Sequence, residues 1–596
     1  MAPSHPSPTS FAARRAQLAG LARLAACIPL FRPGATWTTA RLLARNARRD
    51  PDGLALAFEE RRYAWSEMDR EVDRYAAAFE RLGVGPGDAV ALLVDNRPEY
   101  VFAMTALARL RATSALVNTG ISGAGLAHAV RVGRPRKVVV GVEHEAKLLD
   151  ALGDVDGLAR DDVLSLADPG HDARSALASF DALVAAGGSE RPRATPDGDV
   201  SQHFTYIYTS GTTGLPKAAI ITHARMLTAS SLFGRAIFEA GPGDVIYCAL
   251  PLYHSSAMFA GLGASLVTGA GLALRRKFSA SRFWDDVRAF GATRFVYIGE
   301  LCRYLLNQPA HPGERDHRLR IATGNGLRPD IWERFQERFA IPLVREFYGA
   351  TEGVAPTVNF AGIPGMVGRL MPGQVVLRCD PETGEVARDG AGRCARARPG
   401  ETGLLAMRIG GIAKFDGYLD EKASRKKVLA DVLAPGDRYF DSGDLVALHG
   451  GGWISFADRI GDTFRWKGEN VSTNEVAEAL NRAKGVLEAN VYGVEVPGAE
   501  GRAGMASLHV DEAFSIQGFA DHVVHALPVY QRPYFVRLQR DMRITGTFKH
   551  QKVDYRREGY DPSRTSDPLY FLDADAYVPL DARLFDSIKR GETTLR

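Results

Sequence analysis

Tyr208-Thr209-Ser210-Gly211-Thr212-Thr213-Gly214-Leu215-Pro216-Lys217 is the stretch that decides how the rest of the chain is read. It continues the apolar run Phe204 to Tyr208, whose pattern predicts a strand, and then sets hydroxyls, glycines and a lysine close together. Glycine lets backbone N–H groups come near a ligand, while hydroxyls and an ammonium add donors and charge. A flexible, donor-rich, cationic loop after a strand is the physical description of a phosphate cradle. It departs from the Walker A pattern, whose lysine is followed directly by Ser or Thr and opens a helix. Here Pro216 precedes Lys217, and Ala218 and Ala219 follow it.

Upstream of this loop, Ser66 and Asp69 form a capping-box pattern before Met68, Val72, Tyr75, Phe79 and Leu82 at helical spacing. The all-apolar run Ala89 to Val94 predicts a strand buried on both faces, and Pro98 to about Arg111 a helix. Lys137 to Val140 is a second such strand. Residues 150–199 are polar and weakly patterned, and read as an irregular excursion. Downstream, Val245 to Leu250 predicts a strand that leads into Pro251-Leu252-Tyr253-His254. Ser281 is placed to cap a helix with Phe283, Trp284, Val287 and Phe290 turned inward. Strands follow at Arg294 to Ile298, at 321–326 running into a glycine turn, and at Val344 to Phe347 before Tyr348-Gly349-Ala350-Thr351-Glu352-Gly353. Buried strands alternating with amphipathic helices give an α/β fold with layered, largely parallel sheets. From about 365 to 455 short alternating strands punctuated by Gly and Pro predict a β-rich subdomain. Beyond Asp458-Arg459-Ile460-Gly461-Asp462 the pattern is that of a small α+β domain. Residues 1–35 are thus read as an N-terminal extension, 36–458 as the large domain and 459–596 as a mobile C-terminal domain.

The chain has 596 residues, enough for several domains, and its 74 basic against 70 acidic residues give a net charge of +4, too balanced to suggest nucleic-acid binding. The five cysteines are far apart, so neither a zinc site nor a disulfide framework is indicated and a reduced, cytoplasmic setting fits. No run of eighteen uncharged apolar residues exists, which argues against a membrane-spanning helix. Residues 16–31, with Arg14 and Arg15 before them, are compatible either with a short amphipathic helix lying on the inner face of a membrane or with a helix packed on the body. His311 and His317, in a Pro- and Arg-rich loop, are read as solvent-exposed and not as metal ligands. The assembly state is open, a homodimer being one option.

The ten-residue loop taken whole resembles the signature of the adenylate-forming, or AMP-binding, superfamily of acyl-CoA synthetases, luciferases and peptide-synthetase adenylation domains. The resemblance covers about residues 40–590. It implies that Thr209, Ser210, Gly211, Thr212, Thr213, Gly214 and Lys217 hold the β- and γ-phosphates of ATP, with Thr209 also facing a metal. Thr351 and Glu352 match the second core motif: Glu352 would ligate Mg²⁺, a hard cation that takes carboxylate oxygen, Thr351 would donate to phosphate, and Tyr348 would stack on adenine. Gly324-Asn325-Gly326 resembles the adenine turn, Asp444 the ribose aspartate and Arg459 the arginine at the domain junction. Lys549 is implied as the catalytic lysine, bridging substrate carboxylate and α-phosphate. The usual Gly-Lys pair is here Gly546-Thr547-Phe548-Lys549, two residues longer, so Lys552 stays as a rival. His254 falls where the family has a residue near the mouth of the acyl tunnel.

Four strings point to one branch: Phe278 to Asp286, Tyr297 to Leu305, Arg345 to Gly353, and Asp462 to Thr473. With the Thr545-Gly546-Thr547-Phe548-Lys549 ending they resemble the fatty-acid transport protein / very-long-chain acyl-CoA synthetase family. That resemblance implies ligation of a long- or very-long-chain fatty acid through acyl-AMP and pyrophosphate to CoA. The small-molecule partners would be fatty acid, ATP and CoA. It also implies a swinging C-terminal domain with Gly461 at the hinge, and Lys467 and Gly468 turned inward to admit CoA. A bile-acid, steroid side-chain, carnitine-like or aromatic acid is the alternative substrate, and a membrane-associated fatty-acid uptake protein the alternative function.

Overall fold

The computed structural model describes residues 7–8, 10–153, 155, 157–171, 175–187, 198–210, 215–354, 356–411, 414–467, 469–497, 499, 501–540, 542, 552–593 and 595. The chain divides into two compact units, Met1–Pro364 with Ile409–Val428, and Gly365–Arg408 with Leu429–Arg596.

In the first unit, strands with apolar side chains on both faces assemble into parallel sheets. One has the order Ala178–Ser179, Val163–Leu166, Lys137–Gly141, Ala89–Leu93, Thr113–Leu116, His203–Ser210, Pro216–Thr222. Every neighbouring pair is parallel except the last, a hairpin. Ala91, Leu93, Val138, Val140, Tyr206 and Tyr208 form the buried face against helix Gly123–Gly133, which brings Leu126, Ala127 and Val130. A second sheet runs Thr357–Val358, Leu343–Tyr348, Ile321–Asn325, Arg294–Ile298, Val245–Cys248, Gly271–Leu274, Leu54–Phe58, Arg61–Ala64. Its inner pairs are parallel and its two outer pairs antiparallel. Strands of both sheets thus end in the turns that carry the motifs, the usual place for a ligand in an α/β fold.

The second unit begins with an antiparallel sheet ordered Gln374–Leu377, Thr402–Arg408, Arg438–Leu448, Trp453–Arg459, Gly368–Arg369. Its core includes Leu377, Leu404, Ala406, Val432 and Tyr439. The ribbon Phe464–Trp466 and Glu469–Val471 follows, then the sheet Val486–Glu495, Arg502–Val510, Phe535–Gln539, Leu569–Asp573, Ala576–Pro579. Helices Thr473–Leu480 and Ile516–Ala526 pack on it through Val476, Leu480, Phe519 and Val523.

Four local expectations are corrected. The helix predicted to start at Ser66 spans Trp65–Arg81: Glu67, not Asp69, reaches back to accept from the N-cap nitrogen of Ala64 at 2.8 Å. Asp69 instead meets Arg109 in a buried ion pair at 2.5 Å. Residues 150–199 are not wholly irregular, since Val163–Leu166 and Ala178–Ser179 extend the parallel sheet and Phe180–Ala186 is a helix. Helix Phe283–Ala289 is preceded by Arg282 without a side-chain cap, because the Ser281 hydroxyl bonds that of Ser279. His317 is not a solvent-exposed residue: its ring stacks on Trp284 at 13° and its Nε2 lies 2.8 Å from the Phe339 carbonyl.

Candidate active site

The phosphate-loop stretch forms a hairpin, with Thr209 opposite Lys217 and Ser210 opposite Pro216. Lys217 therefore lies in a strand, not at a helix start, in keeping with the departure from Walker A. Gly211, Thr212, Thr213 and Gly214, expected to hold phosphate, lie outside the described residues. The outer edge of Pro216–Thr222 is covered by residues Asp416 to Leu419. Ile220 N donates to Gly417 O at 2.9 Å, Leu419 N to Ala218 O at 3.0 Å, and Thr222 Oγ1 to Asp416 Oδ2 at 2.9 Å. Gly417 has φ +81°, and a Cβ there would sit 2.9 Å from Ser424 Oγ, so the turn demands glycine.

This packing lays Tyr418 under the hairpin and against the second core motif. Its Oη donates to Glu352 Oε1 at 2.5 Å, and Thr209 is near enough to act on the same phenol. Lys217 Nζ stands 5.9 Å from the ring centroid. Burial first, then the Glu352 charge, push the phenol far above its ordinary range, so it stays protonated. Thr351 is held on two sides: Ser255 Oγ lies 3.0 Å from Thr351 Oγ1, and Arg225 donates to the Thr351 carbonyl at 2.8 and 3.1 Å and to that of Ala350 at 3.2 Å. Thr209, Lys217 and Glu352 thus meet at Tyr418, and Thr351 is next to Glu352 in the chain. Sequence reasoning missed Tyr418, Arg225 and Ser255; a tyrosine beside a turn glycine carries no periodic or motif signal.

The expected adenine turn closes strand Ile321–Asn325. Asn325, half-buried, is opposite Ile298, and Gly326 follows at φ +83°. A Cβ on Gly299 would lie 1.8 Å from the Gly326 carbonyl, and one on Gly324 2.2 Å from that of Tyr297, so the backbones approach too closely for a side chain. Beneath the turn is Glu346, another residue sequence reasoning passed over. It accepts from Gly326 N at 2.9 Å, Leu327 N at 3.1 Å and Tyr297 Oη at 2.7 Å. Burial pushes its carboxyl up to about 8, against the pull of those three donors. Tyr348 ends the neighbouring strand and is buried. The loop bearing His254 is fixed by buried Asn96, which donates to Leu250 O at 2.8 Å and Arg275 O at 3.0 Å and accepts from Leu252 N at 2.8 Å. Tyr253 and His254 meet edge to face at 4.5 Å.

Asp444 and Arg459 belong to the second unit, where they are register partners on adjacent strands with Arg459 Nε 3.4 Å from Asp444 Oδ1. Asp444 is mostly buried and Arg459 half exposed. Lys467 has φ +49° and donates to the Leu595 carbonyl at 2.6 Å. Lys552 donates to Thr473 Oγ1 at 2.7 Å and lies 3.6 Å from Asp462. Gly468 and Lys549 are outside the described residues.

The family model of AMP-binding enzymes matches residues 43–419. The chain is 41% identical over 591 residues to the long-chain fatty acid transport protein 2 of Rattus norvegicus, covering 96% of this chain and 93% of that one. It is 38% identical over 566 residues to the medium/long-chain-fatty-acid–CoA ligase FadD6 of Mycobacterium tuberculosis, covering 94% and 93%. Among solved structures, a benzoate CoA ligase from Burkholderia xenovorans superposes with a TM-score of 0.74 at 22% identity over 87% of this chain and 100% of that one. ATP-bound MatB from Rhodopseudomonas palustris gives 0.73 at 23% identity over 87% and 98%.

Proposed function

The chain belongs to the AMP-binding enzyme family, and from that premise we propose the reaction of a fatty acid–CoA ligase acting on long- or very-long-chain acids. In the first half-reaction a carboxylate oxygen attacks the α-phosphorus of ATP, the α–β anhydride bond breaks, and pyrophosphate leaves. In the second the CoA thiol gives up its proton and attacks the acyl carbon, and AMP leaves with the electron pair of the broken C–O bond. The observation that carries this reading is the meeting of Thr209, Lys217 and Glu352 at Tyr418 from motifs far apart in sequence.

Each residue then has a task. Lys217 and the hydroxyls of the loop bind the β- and γ-phosphates, and Thr351 donates to phosphate. Glu352 and Thr209 offer a carboxylate and a hydroxyl at one phenol, a pair of hard oxygen donors that fits Mg²⁺. That ion, when bound, supplies charge neutralisation at the triphosphate. Asn325 and the backbone of its turn hold adenine, with Tyr348 stacked on it. Asp444 accepts from the ribose hydroxyls, and Arg459 lies beside it. Lys549 places its ammonium between the substrate carboxylate and the α-phosphate, where charge builds in the transition state. Residues 459–596 turn about Gly461 between the half-reactions and carry Lys467 and Gly468 to the CoA side. Gly461 has φ +84° and nothing within 4 Å of a built Cβ, the freedom a hinge requires.

The setting is cytoplasmic; helix Phe11–Ala25 packs on the body, with Gly20 against the Phe360 ring and Arg23 donating to Glu239 at 2.8 Å, and any peripheral membrane contact would use its outer face. Phe11 and Leu18 are 82% and 68% exposed, with Arg14 and Arg15 exposed between them. Among the described residues no helix is long and apolar enough to cross a membrane.

The decisive assay is product analysis with ATP, CoA and acids ranging from acetate to a twenty-four-carbon chain, with sterol side-chain, carnitine-like and aromatic acids included. AMP and pyrophosphate, formed fastest with the long chains, are expected. ADP and phosphate would overturn the chemistry, and preference for another acid would overturn only the substrate. The transport-protein names of several relatives favour one second reading, fatty-acid uptake. Uptake driven by ligation stops in Glu352→Ala; uptake surviving in that variant would make transport the primary function.

A further inference from the structure

We infer that Tyr418 is a positioning residue for the metal ligand Glu352, holding its carboxylate beside the hairpin that carries Thr209 before nucleotide arrives. The inference rests on the ligase reading above. Thr209 is the penultimate residue of strand His203–Ser210 in one sheet, while Glu352 follows the last parallel strand of the other. Two ligands on separate sheets keep their spacing only if something ties them. The tie is one residue: Tyr418 Oη donates to Glu352 Oε1 at 2.5 Å, and the Tyr418 backbone pairs with Ala219 on the strand that lies opposite Thr209. The bond to Glu352 is charge-assisted, the stronger class.

Tyr418 is itself clamped from its backbone. Its N donates to Ser424 Oγ at 2.8 Å, and Ser424 Oγ donates back to the Tyr418 carbonyl at 3.3 Å. Asp420 caps helix Glu421–Arg425, accepting from Lys422 N and Ala423 N at 2.9 and 3.2 Å, and so fixes Ser424. The ring is buried with Ala219 and Ala423, and Tyr418 bridges to Ala219 across the strand that contains Lys217. A chain of contacts thus runs from the Asp420 cap through Ser424 and the Tyr418 backbone to the phenol. A residue that orients a metal ligand without touching the metal changes metal affinity more than nucleotide affinity.

The test compares the full-length wild type with Tyr418→Phe, Ser424→Ala and the double variant. Calorimetry measures ATP binding with Mg²⁺ and with EDTA, and pyrophosphate release is titrated with Mg²⁺. Tyr418→Phe should weaken Mg²⁺-dependent binding by roughly 10-fold, at the low end for removal of a group that orients a metal ligand. It should change binding in EDTA by less than about twofold and leave KM for the fatty acid unchanged. The double variant should be no weaker than the weaker single one, because Ser424 acts only by placing the same phenol. Equal loss with and without Mg²⁺, additive losses, or a wild-type metal titration in Tyr418→Phe would overturn the role. If Tyr418→Phe does not fold, Ser424→Ala replaces it; it should raise the half-saturating Mg²⁺ concentration about twofold to fourfold, and an unchanged titration would overturn the role. A wild type that releases no pyrophosphate from any acid would instead bring down the ligase reading, and this inference with it.

Discussion

The guanidinium of Arg225 donates through both Nε and Nη2 to the backbone carbonyl of Thr351, at 3.1 and 2.8 Å. Nη2 also reaches the Ala350 carbonyl at 3.2 Å. Burial lowers the Arg225 pKa, and Asp416 and Glu352 draw it back up, so the cation is kept by its neighbours. A planar fork serving two successive carbonyls fixes the backbone from which Thr351 and Glu352 project, and a lysine cannot reproduce that geometry. Arg225→Lys should therefore lower kcat/KM for ATP by about 10-fold to 100-fold, an effect of the size expected when a positioned group shifts by about 1 Å. It should also lower the thermal unfolding midpoint, because one carbonyl is left without its donor. Steady-state kinetics and a thermal melt check both. A variant with wild-type ATP kinetics would show that the motif holds its shape unaided.

Glu346 makes a prediction about pH. Its folded pKa, pushed up to about 8, lies well above the unfolded value near 4.5. The unfolded chain therefore releases this proton first. The contribution to stability is full below pH 4.5 and is lost as pH rises through about 8. Glu346→Gln cannot ionise, so its stability relative to wild type should improve steadily between those limits, at most by about 1.4 kcal/mol per pH unit. Denaturant midpoints of the two proteins at pH 5, 6.5 and 8 measure the difference. Parallel pH profiles would mean that the three donors keep the carboxylate charged.

His223 has the opposite sign. It follows the phosphate-loop hairpin at the start of helix His223–Ser231, where Thr39 N approaches its Nδ1 at 3.5 Å and Phe204 packs 5.3 Å away. Burial lowers its pKa from 6.5 to about 3. Stability is then full above 6.5 and is lost as pH falls towards 3. At pH 5 the loss should be roughly 2 kcal/mol, one and a half units at about 1.4 kcal/mol each. His223→Gln keeps an acceptor for Thr39 N and removes the titration, so its denaturant midpoint should fall less between pH 7.5 and 5. A variant as acid-sensitive as wild type would assign the loss to other groups.

What could be read from the sequence follows from where its signals are local. The run Ala89 to Val94 is apolar at every position because both sheet faces are covered, and the strand observed is Ala89–Leu93. The glycine turn after residue 321 was legible because Gly326 takes φ +83° and the backbones at Gly299 and Gly324 approach too closely for a Cβ, conditions that restrict the residue type locally. Val163–Leu166 was missed because it is short, lies between polar segments, and gains its pairing from Lys137–Gly141, which no local pattern reveals. The helix start near Ser66 was misplaced because the capping carboxylate was taken as Asp69, whose partner Arg109 lies 40 positions away. Tyr418 was invisible for the same reason: its partner Glu352 is 66 positions distant, and only the folded chain brings the phenol to it.

The two rival lysines differ in what already holds them. Lys552 donates to Thr473 Oγ1 at 2.7 Å, and Asp462 stands 3.6 Å away. Thr473 is in turn tied to Asp458, donating from N at 2.7 Å and from Oγ1 at 3.1 Å. Lys552 is therefore part of a clasp linking Asp458 to helices Thr473–Leu480 and Lys552–Glu558, and an ammonium so engaged is poorly free to follow a substrate. This favours Lys549 as the lysine that meets the carboxylate and the α-phosphate. Lys549→Ala should lower acyl-AMP formation by about 10²- to 10³-fold, the cost of one transition-state donor. It should leave thioester formation from supplied acyl-AMP within a few-fold of wild type. Lys552→Ala should lower both half-reactions by less than about 10-fold and also lower the thermal midpoint, since it removes a half-buried pair rather than a reacting group. Single-turnover measurements of the two half-reactions distinguish the cases. Selective loss of adenylation in Lys552→Ala, with Lys549→Ala unaffected, would exchange the two roles.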